Sequence, residues 1–161
     1  MKPLLFLDVD GVINLFGIDA EEDSVLVKHE IRARREDDFT LPLCARPELA
    51  SQLRRLDELF EVIWCTAWFE GANGILEALG LERRWEVVHW DQWKLPAVVE
   101  RAGSRRWAFI DDDLAWERRE TAKQGFELPA SPEHLVVDVN PRVGLDRELM
   151  AELERFALAG S

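Results

Sequence analysis

Asp8 and Asp10 stand two residues apart, directly after the apolar run Leu4–Leu7, and Gly11 follows at once. Carboxylates this close repel each other unless a cation sits between them or one holds a proton. A second acidic group, Asp111-Asp112-Asp113, ends the stretch Arg106–Ile110; Thr66 closes Phe60–Cys65, and Lys94 precedes Leu95–Ala102. So many hard oxygen donors suit Mg²⁺, which takes oxygen ligands octahedrally and retains several waters. Asp8 and Asp111 would bind it directly, and Asp112 directly or through water. A single aspartate at a strand end is commonly a turn or cap residue. No turn requires several acids on one edge, so the set reads as a site. Asp113 reads instead as a helix N-cap. Taken singly, Thr66 is a plausible cap and Lys94 a plausible surface lysine, so their weight comes from the ensemble.

The elements that must position these residues follow from the apolar pattern. Leu4–Leu7 has no polar alternation and reads as a strand buried on both faces of a parallel sheet. Further strands are expected at Phe60–Cys65, Trp85–Trp90, Arg106–Ile110 and Leu135–Val139. Helices are expected at Arg46–Phe60, with Pro47 in its first turn, and at Asn73–Leu79, Leu95–Ala102, Leu114–Lys123 and Leu145–Leu158. Strands alternating with helices at this spacing predict an α/β fold: a three-layer α/β/α sandwich on a five-stranded parallel sheet. Ligands of such sheets bind beyond the carboxyl ends of the strands, which is where the acids fall. Residues 15–45 interrupt the pattern. Ser24–Arg34 alternates with period two, Arg35–Asp38 suits a turn, and Phe39–Cys44 returns with Pro42 confining it to an edge. This reads as a β-hairpin flap, with an irregular surface loop as the alternative.

At 161 residues the chain is expected to form one domain, 1–161, large enough for a real core. Its net charge of −12 argues against tight non-specific binding to nucleic acid or anionic lipid. Cys44 and Cys65 have no metal-site spacing, and no run is long enough for a signal peptide or a membrane span, so a cytoplasmic location is expected.

The motifs DVDGV, VIWCT, Lys94 at a helix start and FIDDD, in that order, resemble those of the haloacid dehalogenase (HAD) superfamily, spanning Leu4 to Asp113. Within it the chain looks like the small capless kind, similar to the HAD domain of Swiss Army knife RNA-repair proteins. The resemblance implies a Rossmann-like HAD fold, a Mg²⁺-dependent phosphatase activity and a metal contact from the backbone carbonyl of Asp10.

The residues carry the same chemistry independently. Asp8 is expected to be the nucleophile, forming an aspartyl-phosphate that divides one hard displacement into two. Asp10 would act as general acid and then as base, two aspartates taking two roles as their environments separate them. Thr66 and the amides after it would hold phosphoryl oxygens, and Lys94 would neutralise their charge. Gly11, Ala67 and Trp68 are the candidate substrate contacts.

Seven tryptophans with no tyrosine are unusual. Trp64 and Trp107 fall inside expected strands and suit the core. Trp68, Trp90, Trp93 and Trp116 fall near the acidic edge, where they can stack on a base or simply pack the loops. Lys28, Arg32, Arg34, Arg35, Arg118 and Arg119 suit either a second phosphate or a solvated face. The expected substrate is a small phosphate monoester such as a nucleotide. One alternative is a polynucleotide 3′-end phosphatase. Another, from a different class, is a response-regulator-like phospho-acceptor domain, although there the accepting aspartate ends the third strand.

Overall fold

The computed structural model of the chain describes residues 1–16, 27–32 and 40–159. Among these lie the strands β1 (Leu4–Leu7), β2 (Val27–Arg32), β3 (Thr40–Ala45), β4 (Glu61–Trp64), β5 (Glu86–Val87), β6 (Trp107–Asp111) and β7 (His134–Asp138). The helices are α1 (Leu49–Leu59), α2 (Asn73–Ala78), α3 (Lys94–Ala102), α4 (Leu114–Lys123) and α5 (Arg147–Leu158), with a 3₁₀ turn at Phe69–Ala72.

β1 is the centre of a five-stranded sheet, ordered β5-β4-β1-β6-β7, in which every pairing is parallel. The chain winds outward from β1 through β4 to β5, then returns to the other side of β1 for β6 and β7. The point where winding reverses therefore lies at the carboxyl end of β1, where open α/β sheets form their ligand crevice. Strand, helix and sheet order are those of an α/β protein compatible with a Rossmann-like fold.

All four side chains of β1 are fully buried. Leu5 and Leu7 join one apolar cluster, with Leu53 and Leu56 of α1, Ile75 and Leu76 of α2, and Leu149 and Leu153 of α5. Leu4 and Phe6 join another, with Leu95 and Val98 of α3 and Leu114 of α4. That division explains why β1 has no polar face, and each such side chain contributes about 1.5–3 kcal/mol of burial. Trp64 and Trp107 are core residues, as the sequence predicts.

β2 and β3 pair antiparallel, so the expected hairpin is present. The loop 17–23 and the turn Arg35–Asp38 lie outside the described residues, as do Arg34, Arg35 and the side chains of Lys28 and Arg32. Pro42 stands opposite Glu30 in this two-stranded ribbon, where both strands are edges. Ile31, Leu43 and Ala45 are buried in the cluster shared with β1, and β2 lies against α2. The inner side of the hairpin is thus part of the core.

Several expected elements are shorter than the pattern suggests, Trp85–Trp90 and Arg46–Phe60 by the most. Trp85–Trp90 yields only Glu86–Val87 as strand. The Asn73 side chain takes both backbone groups of Trp85, accepting from its N–H at 2.8 Å and donating to its carbonyl at 3.1 Å, in place of a ladder. The Trp85 indole then turns inward and donates to Asp57 Oδ1 at 2.9 Å. α1 begins at Leu49, and Pro47 belongs to the turn before it, closed by Leu49 N–H to the Arg46 carbonyl at 3.1 Å.

The segment 141–145 braces the loop after β1. Leu145 N–H donates to the Val12 carbonyl at 3.1 Å, and Phe16 N–H to the Pro141 carbonyl at 3.2 Å. Gly144 has φ +62°, and a β-carbon there would lie 2.2 Å from the Val12 carbonyl oxygen. Gln52 of α1 donates to the Leu145 carbonyl at 2.7 Å, so the brace is tied to the helix layer. Among the described residues, no helix is long and apolar enough to cross a membrane.

Candidate active site

The parallel register sets Asp8 and Asp111 side by side. Leu7 pairs with Trp64 and with Ile110, and Asp8 N–H donates to the Ile110 carbonyl at 3.1 Å. One strand tip therefore carries Asp8, its neighbours carry Thr66 and Asp111, and α3 brings Lys94 over them. The Lys94 ammonium donates to Asp8 Oδ2 at 2.9 Å and to Asp111 Oδ2 at 2.5 Å. Asp8 and Asp111 are only 5% and 2% exposed. Asp8 Oδ1 also accepts from the Val9 amide at 2.8 Å, and Asp111 Oδ1 from the Asp113 amide at 2.9 Å.

One carboxylate oxygen from each of Asp8, Asp111 and Asp112 falls within a group whose members are all within 4.8 Å of one another. Gly11 makes this possible. Its φ is +72°, and a β-carbon there would lie 2.2 Å from Asp112 Oδ2, so only glycine leaves space for that carboxylate.

Three carboxylates face one ammonium. At an effective dielectric near 20, like charges about 4 Å apart cost about 4 kcal/mol per pair. Burial pushes the Asp8 carboxyl up, Lys94 pulls it back and the Asp111 charge pushes it up again, leaving it at about 7. Burial, with Asp111 beside it, raises Asp112 to about 6. Burial pulls the Lys94 ammonium down, but Asp8 and Asp111 together pull it further up, so it stays charged. The net excess of two negative charges, presented on hard oxygens, fits a divalent cation such as Mg²⁺.

Asp10 lies outside this group. Its Oδ1 accepts from Asn14 Nδ2 and its Oδ2 from the Trp68 indole Nε1, both at 2.8 Å. Asn14 in turn accepts at Oδ1 from the Cys44 amide of β3 at 2.9 Å. Of the acids expected around the metal, Asp8, Asp111 and Asp112 come together through their side chains, and the Asp10 side chain does not.

Thr66 is fully buried. Its hydroxyl accepts from the Trp68 amide at 3.3 Å, and its carbonyl from the Phe69 amide at 3.1 Å, so it organises the turn that leaves Ala67 exposed. Phe69 takes φ +46°, a conformation costly for a bulky side chain. Its ring is held against His89 and Trp90 at 5.3 and 5.2 Å between centroids.

The tryptophans near the site already have partners. Trp68 donates to Asp10, Trp90 stacks with Phe69 and has the Lys94 ammonium over its ring, and Trp93 donates to Gln124 and packs on Trp116. Trp116 is 45% exposed. Asp113 occupies the first cap position of α4 but makes no side-chain cap bond. Asp138, at the end of β7, does that work by accepting from the Leu114 and Ala115 amides, each at 3.2 Å.

Glu117, only 6% exposed, accepts from the Leu95 amide at 2.5 Å. It thereby holds the start of α3, and with it Lys94, while burial raises its own carboxyl. Its sequence signal was a polar residue among Leu114, Glu117 and Thr121, the buried stripe of α4. Asn14 offered only a turn-forming residue close after Asp10. The Cys65 thiol, buried beneath, is pushed well up by desolvation and is no nucleophile.

No protein-family model matches the chain, and no curated protein matches its sequence.

Proposed function

We propose that this chain is a Mg²⁺-dependent phosphoric monoester hydrolase that works through a phosphoaspartate on Asp8, on a three-layer, capless fold of the HAD type. The observation that carries this reading is the convergence of Asp8, Asp111 and Asp112 under Lys94 at the reversal point of a parallel sheet. The side chains of those three aspartates would hold the ion, with the Asp10 carbonyl added by family resemblance. When bound, Mg²⁺ offsets the charge that otherwise keeps a phosphate dianion away from a carboxylate.

The chain's own groups supply the remainder. A carboxylate oxygen of Asp8 bonds to phosphorus while the ester P–O bond breaks. Asp10 gives its proton to the departing oxygen, which keeps the bonding electron pair. Asp10 then takes a proton from the water that attacks the phosphoaspartate, releasing phosphate and restoring Asp8. Lys94 has a third N–H beyond those given to Asp8 and Asp111, and this, with the amide of the exposed residue Ala67, meets the phosphoryl oxygens. Thr66 is covered, and its part is to shape the turn under Ala67. Gly11 serves by admitting Asp112.

The phospho-acceptor alternative is less favoured. The acid after the third strand of the parallel sheet, Asp91, follows edge strand β5, is exposed, and stands outside the carboxylate group. Unpaired Cys44 and Cys65 suit a reducing, cytoplasmic setting.

The test is a screen of nucleotides, sugar phosphates and a 3′-phosphorylated oligonucleotide, with Mg²⁺ and with EDTA. Turnover that needs Mg²⁺ and vanishes in Asp8→Asn is expected. Preference for the oligonucleotide over mononucleotides identifies end-processing, and a phosphorylated chain that persists for many minutes without turnover identifies the switch. No activity on any ester overturns the hydrolase reading.

A further inference from the structure

We infer that Trp68 and Asn14 are positioning residues for proton transfer by Asp10, an inference that rests on the hydrolase reading above. Each Asp10 oxygen receives one N–H, Oδ1 from Asn14 and Oδ2 from Trp68, both at 2.8 Å. Two donors, one on each oxygen, fix the plane of the carboxyl group, which in an unrestrained aspartate rotates broadly. One acceptor position on each oxygen is left for a proton.

Both donors are themselves braced. The Trp68 ring packs against the main core cluster, and its amide donates to the Thr66 hydroxyl at 3.3 Å. The Asn14 amide is oriented by the Cys44 N–H at 2.9 Å, since its oxygen faces that donor and its nitrogen must then face Asp10. The acid is thus suspended between the turn after β4 and the hairpin strand β3. Asp8, by contrast, is held by Lys94 and the Val9 amide. The two aspartates are two residues apart yet have separate supports, so one can be disturbed without directly disturbing the other. A displacement of about 1 Å in a reacting group is enough to cost about 10²-fold in rate.

A general acid matters in proportion to how badly the leaving group needs a proton. The test compares kcat/KM, which reports on phosphoryl transfer to Asp8, for p-nitrophenyl phosphate and for glycerol 2-phosphate, both with Mg²⁺. The nitrophenolate leaves without help, whereas the alkoxide does not. Trp68→Phe keeps an aromatic ring in the core but has no N–H. It is expected to lose at least about tenfold more activity on the glycerol ester than on the nitrophenyl ester. Asn14→Ala, which removes the other donor, is expected to show the same skew and supplies the answer if Trp68→Phe does not fold by circular dichroism. Equal losses on both esters, or no loss, in folded variants of an active parent overturn this inference and leave the hydrolase reading standing. Absence of turnover by the parent on both esters and on every ester of the screen above overturns the two together.

Discussion

Asp8→Asn is expected to do two opposite things: abolish turnover and raise the stability of the metal-free protein at alkaline pH. Asp8 is 5% exposed and its carboxyl is raised from 3.8 to about 7, chiefly by burial. Above about pH 4 the unfolded chain has released this proton, while the folded chain keeps it until about pH 7. Throughout that window the folded state binds more protons, so stability falls as pH rises. The interval is about three powers of ten in proton affinity, at about 1.4 kcal/mol each, which gives at most about 4 kcal/mol. For a chain of this size, 1 kcal/mol moves Tm by about 2–4 °C. In EDTA, the Tm of Asp8→Asn minus that of the parent should therefore grow by up to about 8–16 °C between pH 4 and pH 8. The hydrogen bonds from Val9 and Lys94 favour the ionised carboxyl and already oppose burial in the balance that leaves Asp8 at about 7, so they do not enlarge this difference further. Mg²⁺ at pH 8 should stabilise the parent and close the gap. A Tm difference that stays flat with pH, or shrinks as pH rises, would refute the claim that Asp8 is held uncomfortably by burial.

Other perturbations test the supports. Gly11→Ala meets both a positive φ and the Asp112 carboxylate, and should cost about 1–3 kcal/mol in denaturant melts and weaken Mg²⁺ binding by calorimetry. Glu117→Ala removes the acceptor of the Leu95 amide; it should cost about 1–3 kcal/mol and raise KM for the ester as Lys94 shifts, with Glu117→Gln restoring most of both. Asp138→Ala uncaps α4 and should cost about 1 kcal/mol, seen as faster amide exchange in the first turn of that helix. Asp10→Asn should lower kcat about 10²–10⁴-fold in steady-state assays if it carries the proton.

The parts of this site that could be read along the chain are those set by one element at a time. Leu4–Leu7 announces a doubly buried strand, and an acid directly after such a strand has one place to go. The same reasoning placed Asp111, and Lys94 followed from the helix start. What could not be read were supports between segments distant in sequence. Asn14 matters because Cys44 lies beside it, and Asp138 caps α4 from the tip of another strand. Glu117 matters because α3 and α4 pack together. Asp113 was credited with a cap because it precedes the helix, but the neighbouring strand offered two better-placed oxygens. Trp85–Trp90 forms a strand only at Glu86–Val87, and Trp85 is left out of it because the Asn73 side chain satisfies the backbone groups that a sheet partner would have taken. Trp68 was legible as a residue near the site and not as a donor, since nothing local shows where an indole N–H points.

The brace from residues 141–145 to the loop after β1 has a practical corollary. Carboxylates near the amino end depend on backbone contributed more than a hundred residues later. A fragment ending at Asp138 would hold every side chain assigned to chemistry and still lack the backing for the turn that carries Asp10. Such a fragment also loses α5, whose Leu149 and Leu153 cover one face of the sheet, so trimming from the carboxyl end should cost activity and fold together.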